Sequence, residues 1–271
     1  MKEYKSSAKV NIGLHIISKR PDGYHNIETI FYPINLYDHL TFIISNSFSI
    51  ETNNLTVPID ETNLIFKAKR ILEEYTCRNF SIKVKLEKNI PIFSGLGGGS
   101  SNAATTLKAL NELYDLRLSK EELLMLASKI GSDVSFFVLG EPSFAQGRGE
   151  ILTPIKNLKF DFQTLIVFPN IKISTHWAYS KFKQSTKKIE LSMIKTSEDF
   201  LKNKELITND FETIVFEYYP EIEKIKESLL NSGAIFASMT GSGSAVFGFF
   251  EKDFDMNLIK SKFSNYLTFM C

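Results

Sequence analysis

The most constraining stretch of the chain runs Pro91-Ile-Phe-Ser-Gly-Leu-Gly-Gly-Gly-Ser-Ser-Asn102. Four glycines and three serines fall within nine residues, Ser94 to Asn102. Ahead of it, Ile82, Val84 and Leu86 alternate with Ser81, Lys83, Lys85 and Glu87, the period of a strand. Behind it, Leu107, Leu110 and Tyr114 recur at helical spacing. The predicted unit is a strand, a glycine-rich loop and a helix N-terminus. Glycines let a backbone approach closely and adopt positive φ. The first amides of a helix lack intrahelical partners and carry partial positive charge. Such a unit suits an anion, above all a phosphate. Ser100, Ser101 and Asn102 are candidates to cap the helix or to meet phosphate oxygens and a metal ion. A plain flexible turn ahead of an ordinary helix is the competing reading.

The loop has no Gly-Lys-Ser/Thr sequence, so it is not a Walker loop. Ser100 stands where a dinucleotide fingerprint needs its last glycine. Any chemistry therefore has to come from other parts of the chain. The 271 residues allow one large domain or two modest ones, and 43% apolar residues suffice for a sizeable core. With 32 basic against 31 acidic residues, the net charge of +1 makes no case for nucleic acid or an anionic membrane. Cys77 and Cys271 have no metal or disulfide spacing. The first residues lack the apolar run of a signal peptide, and no stretch reaches the roughly 20 apolar residues that span a bilayer. A soluble, cytoplasmic protein is the expectation, with oligomeric state open.

The first element, Lys9 to Ile17, alternates Val10, Ile12, Leu14 and Ile16 with Lys9, Asn11, Gly13 and His15. It reads as a half-buried strand with Lys9 and Asn11 on one face. A solvated polar face is the bland reading, but Asn is depleted in strands, so the pair is a candidate site. Pro21-Asp-Gly marks a tight turn that presents Tyr24 and His25, either a hairpin corner or a surface for a planar base. Strands follow at Leu40–Ile44 and loosely at Phe48–Ile50. Helices are predicted from Asn63 to Tyr75, from a capping box at Ser119–Glu122 to about Lys129, and from Ser174 or Thr175 onward. Asp133 is either a helix N-cap or a carboxylate at the base of a cleft. Residues 140–149 read as loop, 152–160 as a boundary, and Lys181 to Lys204 as helical hairpins with solvated faces. Leu165–Phe168 reads as a strand and Pro220–Gly233 as a helix. A strand, the loop Thr240-Gly-Ser-Gly-Ser244, another strand and a final helix to Phe263 complete the chain.

A lysine-bearing first strand, a central Gly-Leu-Gly-Gly-Gly-Ser-Ser loop and a late Thr-Gly-Ser-Gly-Ser loop thus occur in order. Together with Arg20-Pro-Asp-Gly-Tyr-His, Asn63-Leu-Ile and Gly131-Ser-Asp-Val, they resemble the superfamily of galactokinase, homoserine, mevalonate and phosphomevalonate kinases. The resemblance implies a two-lobed α+β fold with the active site between the lobes. The N-terminal lobe, residues 1–155, would be ribosomal-S5-like and the C-terminal lobe, 156–271, ferredoxin-like. Pro-Asp-Gly-Tyr-His points to one branch, and implies ATP-dependent phosphorylation of the 2-hydroxyl of a cytidine-diphosphate-linked methylerythritol, a step of the non-mevalonate isoprenoid pathway.

On the same resemblance, Asp133 is the catalytic carboxylate and Lys9 its partner, with Asn11 on the same strand face. Pro91, Ile92, Phe93, Ser94, Gly95, Leu96, Gly97, Gly98, Gly99, Ser100 and Ser101 cradle the ATP phosphates, and Asn63 and Lys88 contact the nucleotide. Tyr24 stacks on cytosine, His25 hydrogen-bonds it, and Tyr179, four residues after Thr175, supplies a second aromatic wall. Gly241 and Ser242 close near the reacting phosphate. Magnesium is expected on ATP oxygens and water, with Ser101 as a candidate ligand and no dedicated acidic residue. Phe93 departs from the small residues common at that position. Another kinase of the superfamily, or a nucleotide-binding module without catalysis, are the rival readings. The first leaves the Tyr24, His25 and Tyr179 aromatics unexplained, and the second leaves Lys9 and Asp133 unexplained.

Overall fold

The alternating segment at Lys9 is the middle of a longer strand. In the computed structural model, which describes all 271 residues, β1 spans Lys2–Lys19 and returns through the turn at Pro21–Gly23 into β2, His25–Ile44. Thereafter come β3 (Ser49–Thr52), α1 (Leu64–Thr76), β4 (Ile82–Glu87), α2 (Gly98–Leu113), α3 (Lys120–Ile130) and α4 (Val134–Leu139). They are followed by β5 (Ser143–Gln146), β6 (Ile151–Pro154), β7 (Gln163–Phe168), α5 (Thr175–Lys181), α6 (Ser197–Asn203) and α7 (Asp210–Tyr218). The last elements are α8 (Pro220–Asn231), β8 (Phe236–Met239), β9 (Val246–Phe250), α9 (Asn257–Lys260) and β10 (Leu267–Met270). The strands form two sheets, an α+β architecture.

The chain divides into two compact units. Met1–Ala8, Asn35–Ile92 and Gly97–Gly140 make the first; Lys9–Ile34, Phe93–Leu96 and Glu141–Cys271 make the second. In the first, β4 pairs antiparallel with the end of β2 and parallel with β3. The alternation read from Ile82 to Glu87 holds: Ile82, Val84 and Leu86 are buried and Lys85 and Glu87 exposed. The helix α1 opens on the N-cap Asn63 and buries Ile65, Ala68 and Leu72, with α2 packed beside it. The predicted capping box at Ser119 and Glu122 starts α3. Lys108 of α2 donates to the Phe137 carbonyl at 2.8 Å and so ties α4 to α2.

In the second unit, β2 begins by pairing with β5, and β5 pairs with β6. Residues read as loop and boundary are therefore strands; four-residue strands leave too little alternation to see in a sequence. A second sheet, ordered β10-β7-β9-β8, is antiparallel throughout. Its strands β7, β9 and β8 are buried on both faces, while β10 at the edge is partly exposed. Leu165, Val167, Ala237, Met239, Val246 and Phe250 join α7 and α8 residues such as Phe211, Ile222 and Leu229 in one core. On the other face Phe236, Phe247 and Phe249 pack with Phe160, Phe162 and Phe200. Strand β10, absent from the sequence reading, closes the sheet beside β7, and the final helix is reduced to α9 and a 3-10 turn at Ser261–Phe263.

Two further readings are corrected. Strand β1 is not half-buried, because Lys9, Asn11 and His15 are as buried as Val10, Ile12 and Leu14. The lysine-rich segment is not a set of helical hairpins. It holds a 3-10 turn at Leu191–Met193 and the single helix α6, and it is pinned by buried Leu191, Ile194 and Phe200. Asp210 also holds it, accepting from the Thr186 amide at 2.6 Å and from the Ile16 amide of β1 at 2.7 Å. Lysines on a surface segment mask such anchors, since snorkelling side chains cover apolar residues beneath. Phe200→Ala is expected to lose about 3–5 kcal/mol of stability, measured by urea unfolding. A loss below about 0.5 kcal/mol, typical of exposed positions, would return the segment to a solvated face.

Candidate active site

Lys9 and Asn11 sit on one face of β1 within the second unit. The Lys9 ammonium donates to Asn11 Oδ1 and lies 5.3 Å from the centre of the Phe31 ring. Asn11 Nδ2 donates to Thr29 Oγ1 at 2.9 Å, and Thr29 in turn donates to the Gly13 carbonyl. The Asn11 amide nitrogen donates to Thr240 Oγ1 at 3.1 Å. The Thr240 hydroxyl faces Asn11 Oδ1 at 3.2 Å and the Gly95 carbonyl at 3.3 Å. The lysine oxygen partner fixes which end of the Asn11 amide points where. Buried polar groups of this kind are tolerable because each finds a partner, and the solvated-face reading of β1 is excluded.

The tip of the glycine loop belongs to this same network. The Lys9 amide donates to Leu96 O at 3.0 Å and the Ala245 amide to Ser94 O at 3.1 Å. Gly95 has φ +80°, and a Cβ there would stand 2.1 Å from the Thr240 carbonyl oxygen, so no other residue fits. The late loop does join two strands as a hairpin, β8 to β9, as its spacing allows. Asn209, which the sequence reading passed over, braces it by donating to Met239 O at 2.8 Å and Gly241 O at 2.9 Å. Phe93 adopts φ +56°, the left-handed region, with its ring 58% exposed and the Lys172 ammonium 5.8 Å from the ring centre. It therefore does not pack beneath the loop.

In the first unit, α2 starts at Gly98 after the left-handed Gly97, and no side chain caps it. Ser100, Ser101 and Asn102 are thus inside the first turns and are not caps. Ser101 accepts from Ser6 Oγ at 2.7 Å, and Asn102 donates to Ser6 and to Asp38. The uncapped helix start leaves its amide end without a side-chain acceptor, the condition for holding an anion. Lys88 is buried, and its amine donates to the Asp38 carboxylate at 2.5 Å. Burial pulls the Lys88 amine below its ordinary range and the Asp38 charge pulls it back up. Asn63 spends both ends of its amide locally, accepting from the Ile65 amide at 2.9 Å and donating to Pro58 O at 2.6 Å. Asp133 stands at the N-cap of α4 but makes no capping bond with its side chain. No group of three or more His, Cys, Asp or Glu side chains is arranged to hold a metal.

The aromatic residues gather in the second unit. The His25 ring stacks on Tyr179, with centroids 4.7 Å apart and planes 14° from parallel. Phe211 meets Tyr179 edge-on at 4.9 Å and fixes its tilt. Burial, helped by the Lys19 charge, lowers the His25 pKa, which favours the neutral imidazole. Tyr24 is 55% exposed, and the Arg148 guanidinium lies 5.0 Å from its ring centre. The turn at Ala145–Gly149 was visible in the sequence, but nothing there singled out Arg148. At α5, Ser174 caps by accepting from the Trp177 amide, and the hydroxyls of Thr175 and Ser242 stand 3.0 Å apart.

Known proteins share this fold. The model of the GHMP kinases N terminal domain matches residues 63–141, and that of the GHMP kinases C terminal matches residues 193–268. The 4-diphosphocytidyl-2-C-methyl-D-erythritol kinase of Chloroherpeton thalassium is 43% identical over 260 residues, 93% of this chain and 90% of the relative. That of Chlorobium limicola is 42% identical over 254 residues, 92% of this chain and 88% of its own. A crystal structure of 4-(cytidine 5'-diphospho)-2C-methyl-D-erythritol kinase superposes with a TM-score of 0.84 at 30% identity, covering 99% of this chain and 98% of that one. The Methanococcus jannaschii mevalonate kinase, at 18% identity and a TM-score of 0.69, shares the fold. The chain is a GHMP kinase, and within that class it belongs to the 4-diphosphocytidyl-2-C-methyl-D-erythritol kinase family.

Two glycines of the loop separate fit from function. At Gly95 an alanine meets backbone and a strained φ, and Gly95→Ala is expected to lose roughly 2–5 kcal/mol of stability. At Gly99 the nearest atom to an added Cβ is Leu64 Cδ1 at 3.7 Å. Gly99→Ala should keep or slightly raise the melting temperature, and its penalty should appear as a higher KM for ATP. Equal stability losses in the two variants would contradict the assignment.

Proposed function

We propose that the chain transfers the γ-phosphoryl group of ATP to the 2-hydroxyl of 4-diphosphocytidyl-2-C-methyl-D-erythritol, giving the 2-phosphate and ADP, in the cytoplasm. The observation that carries the substrate assignment is the His25–Tyr179 stack. A flat aromatic surface with a neutral imidazole edge suits a pyrimidine base, and mevalonate and homoserine have none. Identity of 43% with a relative bearing that activity in its name supports the same reading.

Phosphoryl transfer passes through a loose transition state, so alignment and charge stabilisation dominate. Asp133 takes the proton of the 2-hydroxyl as its oxygen bonds to the γ-phosphorus. The bond from that phosphorus to the bridging oxygen breaks, and ADP keeps the electron pair. The Lys9 ammonium, held by Asn11, offsets charge on the group in flight. Residues Pro91 to Ser101 cradle the triphosphate through backbone amides. Magnesium, when bound with ATP, would be held by phosphate oxygens and water and would offset phosphate charge. Ser101 is a weak candidate ligand, since its hydroxyl is buried against Ser6. Asn63 and Lys88 act from beside the nucleotide, Tyr24 stacks on the cytosine, and Thr175, Gly241 and Ser242 border the acceptor.

A coupled ADP-release assay against the cytidyl substrate, mevalonate and homoserine tests the assignment. Turnover is expected with the first alone; comparable kcat/KM with either of the others would sink it. In Asp133→Ala, kcat should fall by at least about a hundredfold while ATP affinity stays within a few fold. Full activity in that variant would remove Asp133 from the chemistry.

A further inference from the structure

The carboxylate of Asp38, on β2 in the first unit, is 0% exposed. A buried carboxylate is tolerated only when its acceptor positions are filled. Here four donors fill them. Oδ2 accepts from Lys88 Nζ at 2.5 Å and from Asn102 Nδ2 at 2.9 Å. Oδ1 accepts from the Asn89 and Ile90 amides, both at 2.8 Å. The order of these donors along the chain is the telling point. Lys88, Asn89 and Ile90 are the last three residues before Pro91, where the glycine loop begins. Asn102 is the first residue after Ser101, where it ends. One side chain therefore grips both ends of the loop. It also sets the place of a charge, because a Cβ on Gly98, the first residue of α2, would lie 2.6 Å from Lys88 Nζ.

We propose that Asp38 is a positioning residue for ATP, closing the two ends of the phosphate loop on one carboxylate and holding the Lys88 ammonium under the start of α2. This rests on the assignment of the loop to the ATP phosphates. Asp38 does not touch the reacting atoms; it acts through Lys88, Asn102 and the path of the backbone at Asn89 and Ile90. Loss of its charge affects the ground-state hold on the triphosphate, so KM for ATP responds and the chemical step does not.

The isosteric variant Asp38→Asn tests this. Its amide presents an N–H₂ group to donors, so the four-fold clamp cannot be rebuilt. The expected result is a KM for MgATP at least about tenfold higher, with kcat within about threefold and the KM for the cytidyl substrate unchanged. A purely structural role would instead lower the melting temperature and the active fraction, and leave the KM for MgATP in place. A pH series gives a second signature. Asp38 is the charged group that faces Lys88; the others around it, Gly98 and Asn102 of α2 and Asn53 ahead of β4, are uncharged. Burial lowers the Lys88 pKa and the Asp38 charge raises it. In Asp38→Asn only the lowering remains, so Lys88 loses its proton at a lower pH than in the parent. The KM for MgATP of the variant should climb as pH rises, and Lys88→Met in the same background should flatten that climb.

If Asp38→Asn does not fold, Asn102→Ala releases one end of the loop from the carboxylate while Lys88, Asn89 and Ile90 keep their bonds to it. Its KM for MgATP should be raised. A KM within twofold of the parent, in either folded variant, overturns the proposal. Gly99→Ala serves as the control, read by direct MgATP binding. Should it weaken MgATP while Asp38→Asn does not, the Asp38 role alone fails. Should neither variant weaken MgATP, the phosphate-loop assignment fails as well.

Discussion

A contact between two backbones sets the geometry of the candidate site. At Gly95 the glycine loop lies so close to the Thr240 carbonyl that a single carbon atom would collide with it. Amides of Lys9 and Ala245 hold the residues on either side. Three stretches distant in sequence thus meet through main-chain atoms: the first strand, the glycine loop and the late hairpin. Main-chain contacts of this kind tolerate side-chain change at their neighbours but not at the glycine itself. Phe93, two positions earlier, stands outside this contact, exposed and in a left-handed conformation.

Within each unit, polar residues are placed where apolar ones ordinarily go. Lys9, Asn11 and Thr29 are buried together, as are Lys88, Asp38 and Asn102. Neutral and ionic partners make this burial bearable, and they also remove rotational freedom. A lysine held by an amide or a carboxylate reaches its ligand already oriented. The stack of His25 on Tyr179, with Phe211 against its edge, applies the same economy of motion to the aromatic surface. Rigid groups need little ordering when a ligand arrives.

Much of the fold was legible in the sequence where local chemistry announces itself. The alternation of β4, the capping box of α3, the helix α1 beginning beside Asn63 and the Pro220 start of α8 all appear as read. The strands β5, β6 and β10 were not legible, because four residues carry little periodicity and their pairing partners are far along the chain. Strands β7, β9 and β8 are buried on both faces, so alternation is weak there too. Asn11 stood out because asparagine is unusual in a strand. Asp38, Arg148 and Asn209 did not, since what makes each of them matter is a partner that only folding brings near. Of the two roles read for Ser100 to Asn102, capping falls away because the left-handed Gly97 starts the helix earlier.

The division of the chain has a consequence for how such a protein can be rearranged. Each compact unit is assembled from separate stretches, and the boundary falls inside β1, inside β2 and on both sides of Phe93–Leu96. No single cut releases either unit whole. A fragment beginning at Glu141 would carry β5 without the start of β2 that it pairs with. Recombination between genes, which exchanges contiguous segments, therefore cannot move either unit whole into another chain in one exchange. New specificities in a chain woven this way have to arise by substitution in place.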